Sequence, residues 1–256
     1  YLDILDMKPD DLDAARSLEE LYEQQEDWDS LIDIINRQLT QTDEVSSRVG
    51  LFMKMADIYQ TKQDNNDSAI ESLRQILDID PDNLDAYAAL EELLTVEERW
   101  FELVEVLDRH VLVMSDPDAA ISIKIRIGRI RLEKMEDIDG AIEIFNQVLA
   151  TDPEHQEALE ALSRLYERME AWPNCIEILE KLIGLSSDSE LISGIHGRIG
   201  AIYLNHIGDK TKAEEHLRQS LEANRANMES IRHLRQFYEE ENQWAQVVEI
   251  MGDEEA

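Results

Sequence analysis

The sequence predicts an all-α chain of about seven helical hairpins arranged as an α-solenoid, and three observations carry that prediction. First, Trp28, Trp100, Trp172 and Trp244 recur at 72-residue intervals, and Pro9, Pro81 and Pro153 repeat the interval, with Arg225 at the fourth place. One supersecondary unit is thus written about three and a half times, which is how a solenoid reads. Second, apolar residues within each unit fall three and four apart, as in Leu84, Tyr87, Leu90 and Leu94, marking one face of an amphipathic helix. Third, the chain of 256 residues holds only 9 Gly and 5 Pro, few enough breakers for an almost wholly helical chain with short turns. Residues 1–256 read as a single array with unit boundaries near 8–79, 80–151, 152–223 and 224–256.

The first half of each unit is one hairpin. Residues 8–35, 80–107, 152–179 and 224–251 align without gaps, and a short polar bridge (Glu97 to Arg99, or Glu170 and Ala171) leads into a second helix opened by the tryptophan. Asp13, Asp85, Glu157 and Glu229 repeat in the first turn of the first helix, where negative charge meets the helix dipole favourably. The strict recurrence of the tryptophans reads as a packing seam in preference to a set of interface anchors. The other half is a second hairpin, written at 54–81, 126–153 and 198–225. A small residue recurs there at Ala56, Gly128 and Gly200, and again at Ala69, Ala141 and Ala213, where helix backbones approach closely. Leu5 to Pro9 aligns with Leu77 to Pro81, so the sequence opens in the tail of a second helix, and it stops partway through the helix begun by Trp244. The expectation is an excerpt from a longer array.

Ile199-Gly200, Tyr203, Ala213 and Leu217, with Ile58, Tyr59, Ala69, Leu73 and Pro81, resemble the tetratricopeptide repeat family, over essentially the whole chain. The resemblance implies a right-handed α-solenoid of TPR-like hairpins whose first helices line a concave groove. One 72-residue unit is then two hairpins of roughly 34 and 38 residues. The tryptophan-bearing hairpins depart from the pattern: the small position holds Glu19, Glu91, Ser163 or Arg235, and the second helix holds Gln38, His110 or Leu182. Those substitutions predict splayed hairpins, and Arg131 in place of Tyr59 and Tyr203 predicts altered packing. The family's Lys/Asn clamp for an acidic chain terminus lacks its asparagine, since the groove-facing places read Met53, Ala88, Ile125 and Glu160.

Charge narrows the function. Lys and Arg total 24 against 58 Asp and Glu, a net charge of −34. Such a surface repels phosphate and anionic lipid, so no nucleic-acid role is expected, and it favours a basic partner. The plainer account of the charge is a solvated, self-repelling surface. No apolar run is long enough for direct membrane insertion. Cys175 shares its place in the repeat with Leu31, Leu103 and Val247 and reads as a buried core thiol. The six histidines show no ligand spacing, and no phosphate loop, dinucleotide fingerprint or nucleophile elbow occurs. The expectation is no enzyme, no metal and no cofactor, with the compartment open and the cytoplasm favoured.

The candidate binding residues form a basic ladder. Lys54, Arg126 and Arg198 keep positive charge at one repeat position in a strongly acidic chain, and Arg129 and Arg164 stand near them in the central repeats. Because the resemblance places this position near the groove lining, the ladder would pin carboxylates, a chain terminus or a phosphorylated segment of a bound peptide. The competing account is ion pairing with neighbouring acids of the same chain, each pair contributing ~0–1 kcal/mol when exposed. The function expected is a protein–protein interaction scaffold binding another protein or peptide segment. The alternative is a structural spacer or self-assembling element that self-associates through its ends.

Overall fold

In a computed structural model that describes the backbone of residues 1–254 and the side chains of residues 1–250, the chain forms fifteen α-helices among the described residues. It divides into two compact units, Tyr1–Glu136 and Asp137–Ala256. The first holds α1 (Leu2–Met7), α2 (Leu12–Gln25), α3 (Trp28–Gln41), α4 (Val45–Lys62), α5 (Asn66–Ile79), α6 (Leu84–Val96), α7 (Trp100–Val113) and α8 (Pro117–Glu133). The second holds α9 (Ile138–Thr151), α10 (Gln156–Arg168), α11 (Trp172–Leu185), α12 (Ser189–Ile202), α13 (Lys210–Ala223), α14 (Met228–Glu240) and α15 (Trp244–Glu254), with a π-helical turn at Tyr203–Ile207. Neighbouring helices pack as antiparallel pairs: α2/α3, α4/α5 and α6/α7 in the first unit, and α10/α11, α12/α13 and α14/α15 in the second. In the repeat, α8 and α9 hold the two places of the remaining hairpin, giving about seven.

The period survives in the helix boundaries. Shifted by 72 residues, α7 coincides with α11 and α9 with α13 at both ends, and α6 with α10 and α14. Chemistry at the turns explains the register. The first helices of the tryptophan hairpins are capped by Asp11, Asn83, His155 and Asn227, each accepting from the backbone N–H three residues on. The acids two places later lie in the first turn as expected, but the capping bonds belong to these earlier residues. Each hairpin then turns through a left-handed residue: Glu26, Glu98, Glu170 and Asn242 in one class, Asp64, Glu136 and Gly208 in the other. Only Gly208, at φ 79°, meets that conformation with the residue that adopts it without steric cost.

Packing follows the apolar stripes. In the first unit Leu31, Ile35 and Leu39 of α3 bury against Met55 and Ile58 of α4, with Tyr22, Trp28 and Tyr59 half-buried around them. In the second, Leu217 and Leu221 of α13 pack on Ile231, Leu234 and Tyr238 of α14 and on Val247 and Ile250 of α15. Arg131, where the other repeats carry tyrosine, is half-buried and reaches Asp108 of α7 at 3.8 Å.

Candidate protein interface: the basic ladder

Each rung of the ladder sits on a first helix and reaches back to the preceding hairpin. Lys54 of α4 places Nζ 2.6 Å from Glu19 Oε2 and 2.7 Å from Glu23 Oε1, both on α2. Burial pulls this ammonium down, but the hydrogen bonds and charges of the two glutamates outweigh it and raise its pKa. Glu19 accepts a second bond, from Gln38 Nε2 of α3, so one carboxylate ties three consecutive helices. One period on, Arg126 of α8 donates to Glu91 of α6, whose other oxygen lies 3.2 Å from His110 Nδ1 of α7. The His110 ring stacks on Tyr87 with centroids 4.3 Å apart. These are the departures from the family pattern at Glu19, Gln38, Glu91 and His110. A polar tie occupies these positions.

The third rung differs. Ser163 and Leu182 replace the inner carboxylate and its second donor, and both are buried. Arg198 of α12 therefore turns to Glu167 of α10, the repeat equivalent of Glu23, at 2.6 Å. Arg164, 74% exposed, pairs with Glu160 on its own helix at 3.3 Å. Arg129 is exposed on α8. Lys54, Arg126 and Arg129 thus belong to the first unit and Arg164 and Arg198 to the second, with intrachain carboxylates at Lys54, Arg126, Arg164 and Arg198.

A second ladder escaped the reading of the sequence. Lys62 lies over the Trp28 ring at 5.6 Å and Lys134 over Trp100 at 5.1 Å, while His206 stacks on Trp172 with centroids 3.9 Å apart. These three stand 72 residues apart and 34 after each tryptophan, so the signal was present in the spacing. The first three tryptophans are half-buried against the end of the next hairpin's first helix, as a packing seam requires; Trp244 is 60% exposed.

The rest of the surface offers little chemistry. Cys175 is fully buried, its Sγ 3.4 Å from the Ser163 carbonyl, and burial pushes the thiol up to about 11. Among the described residues no three or more His, Cys, Asp or Glu side chains gather in a way that could hold a metal, and no helix is long and apolar enough to cross a membrane. A cavity of about 590 Å³ opens between the N-terminal ends of α2 and α4 beside α3, lined by Asp10, Asp11, Arg16, Glu19, Gln38 and Glu44 among others. A smaller one of about 280 Å³ recurs at the equivalent place in the second unit, beside Gln156, Leu182 and Asp188.

Among solved structures, the C-terminal part of a TPR repeat-containing protein from Cytophaga hutchinsonii is 16% identical, covers 91% of this chain and 97% of its own, and superposes with a TM-score of 0.46. MamA is 20% identical, with 70% and 92% covered and a TM-score of 0.43. YrrB, described as a TPR protein with an unusual peptide-binding site, is 12% identical, with 78% and 96% covered and a TM-score of 0.43. A comparison with curated proteins found no match. Models of the tetratricopeptide repeat match residues 14–49, 49–83 and 132–199, together more than half of the chain. With helical hairpins repeating at the same register throughout, the chain belongs to the tetratricopeptide repeat proteins.

Proposed function

We propose that this chain is an interaction scaffold that receives a basic protein segment along its first helices. Tetratricopeptide repeat proteins bind other proteins or peptides, and the family is typically non-enzymatic. The observation that supports a basic partner is the internal use of the ladder cations. Lys54, Arg126 and Arg198 are each engaged by carboxylates of the same chain, so the excess of 58 acids over 24 bases dominates what approaching molecules meet. Such a field steers a cationic segment and weakens with salt. The acidic lining of the cavity between α2 and α4 offers one place for a lysine or arginine side chain. Lys54, Arg126, Arg129, Arg164 and Arg198 are proposed as secondary contacts, where a partner carboxylate exchanges with the intrachain one.

The experiment is a titration of the full chain with a lysine-rich peptide, its neutral glutamine counterpart and a glutamate-rich one, each followed at rising salt. The lysine-rich peptide should bind most tightly and lose affinity steeply as salt rises. Equal binding of the neutral or acidic peptide would remove the proposal. Light scattering that grows with protein concentration alone would favour the spacer or self-assembly reading in its place.

A further inference from the structure

Two histidines 20 residues apart in the sequence meet on facing helices of the second unit. His196 of α12 and His216 of α13 bring their Nδ1 atoms to 3.1 Å, with ring centroids 5.3 Å apart. The centroid separation is about the nitrogen separation plus the two ring radii, so the nitrogens face each other nearly head-on. Two ligands of one metal, each at ~2.0–2.1 Å, must aim their lone pairs at a common point to the side of the N–N line. A point midway along that line is too close to both. The arrangement is a hydrogen bond in which one ring donates Nδ1–H and the other accepts through its lone pair.

The bond is half-buried between the two helices. Tyr203 stacks on His216 at 5.7 Å, and Lys212 Nζ lies 5.2 Å over the Tyr203 ring. Among the described residues, the charged groups acting on the pair are Glu180 from α11 and Lys212, Glu215 and Glu222 from α13. Burial lowers the pKa of His196, helped by the neighbouring imidazole and opposed by Glu222. Burial likewise lowers that of His216, opposed by Glu180 and Glu215 and aided by Lys212. One turn further along the same two helices, Ser193 and Ser220 continue the seam with their hydroxyls 3.0 Å apart.

We propose that the pairing of His196 with His216 makes the α12–α13 hairpin a proton-operated latch. A first proton is tolerated, because a cationic ring still donates to a neutral one. A second leaves a hydrogen on each Nδ1, two donors with no acceptor between them, and places two like charges in a half-buried seam. The rings part, and the serine hydroxyls behind them are groups that water can solvate as the hairpin loosens. The direction follows from linkage. Both rings titrate lower in the folded chain than in the unfolded one, so the unfolded chain binds more protons between the two values. The latch is fully closed above the ordinary histidine range near ~6.5 and loses stability as pH falls through it toward the folded values.

Amide hydrogen exchange on the full chain tests this between about pH 7.5 and 5.5, a window above the carboxylate range. Protection in α12 and α13 should fall on the order of tenfold beyond the intrinsic pH dependence of exchange, while α4 and α5 hold theirs. His216→Gln keeps an amide that can bond His196 but cannot take the second proton, and it should abolish the loss; His233→Gln should leave it in place. Unchanged protection in the wild-type chain, or a loss that survives His216→Gln, overturns the latch. Should the glutamine variant fold poorly, histidine ring titration of the wild-type chain by NMR decides the matter. Two separated steps are expected for the pair, and two independent steps near the ordinary value overturn the proposal.

Discussion

The seam that joins α4, α5 and α6 and the seam that joins α12, α13 and α14 occupy the same place in the repeat and both bury apolar residues, yet two equivalent positions carry opposite chemistry. In the first, Ile76 of α5 and Ala86 of α6 are fully buried, and the cap residue Asn83 spends its side-chain amide locally on Asp80. In the second, those places carry Ser220 and Ser230. Asn227, the equivalent cap, turns its amide inward to Ser193 at 2.9 Å and Ser220 at 3.1 Å. Ser220 also donates to the Ser193 carbonyl at 2.7 Å and lies 2.8 Å from Ser230 Oγ. Gly197 makes room for this network, since a Cβ there would stand 2.7 Å from Ser230 Oγ. The lesson is that helix register in this chain is set by capping and turn chemistry, and that the interior of a seam is open to very different solutions. An apolar seam contributes by burial, ~0.8 kcal/mol per CH₂. A satisfied polar one contributes ~0.5–1.5 kcal/mol per hydrogen bond and demands that every member be paired.

The largest expected effect comes from exchanging chemistry between the seams. Ile76→Ser removes fully buried apolar volume and introduces a hydroxyl among apolar neighbours, and should cost about 3–5 kcal/mol. Ser220→Ala deletes the hub hydroxyl and strips a partner from Ser193, Ser230 and Asn227, at a smaller cost of about 1–3 kcal/mol. Chemical denaturation of both variants measures the contrast. A Ser220→Ala chain as stable as the wild type would show that the network contributes nothing net, and the comparison between the two seams would collapse to one of shape.

Much of the fold was legible because one interval governs it. The tryptophan that opens a helix, the proline ladder and the acids of the first turn recur at 72 residues and place the hairpins, whereas the caps at Asp11, Asn83, His155 and Asn227 and the left-handed turn residues emerged only from the structure. Contacts between non-repeating residues were not legible. His196 and His216 lie on different helices, so no i+3 or i+4 spacing announces them. Glu19 and Gln38 looked like misfits at small positions because their meaning depends on Lys54 arriving from a third helix. The ladder itself was visible in the sequence, but not which carboxylate each cation would meet: Arg198 changes partner only because Ser163 and Leu182 fill the inner place.

Glycine sharpens the same comparison at an intermediate scale. Gly200 of α12 and Ala56 of α4 are equivalent, yet a Cβ at Gly200 would stand 2.6 Å from Leu217 Cγ and 3.2 Å from the Ala213 carbonyl. Helices α12 and α13 therefore approach more closely than a methyl group permits, whereas Ala56 is accommodated, buried, in α4. Gly200→Ala should destabilise by about 1–3 kcal/mol through overpacking, despite the better helix propensity of alanine. Ala56→Gly should cost about 0.5–1 kcal/mol, the ordinary penalty in a helix interior. Thermal melts that rank the two in the opposite order would mean that the second unit yields to the methyl group, and that its close approach is not a constraint.

A small expected effect on folding separates two roles for the ladder. Arg126 is 45% exposed and its partner Glu91 only 16%, so the pair lies between a solvated bridge and a buried one. Reversing the charge with Arg126→Glu removes one stabilising contact and sets two carboxylates beside each other, next to His110. If Arg126 chiefly ties α8 to α6 and α7, the variant loses about 1 kcal/mol, at the upper end of what exposed pairs contribute, and binds a lysine-rich peptide at least as well as before. If Arg126 holds a partner carboxylate, affinity for a peptide of mixed charge falls while the melt barely moves. The neighbouring rung offers an internal control, because Arg198 meets an exposed glutamate and lacks the inner tie. Arg198→Glu should cost less stability than Arg126→Glu under the first account and an equal share of affinity under the second. Measuring melt and affinity on both variants decides whether the repeated cation serves the hairpins or what they hold.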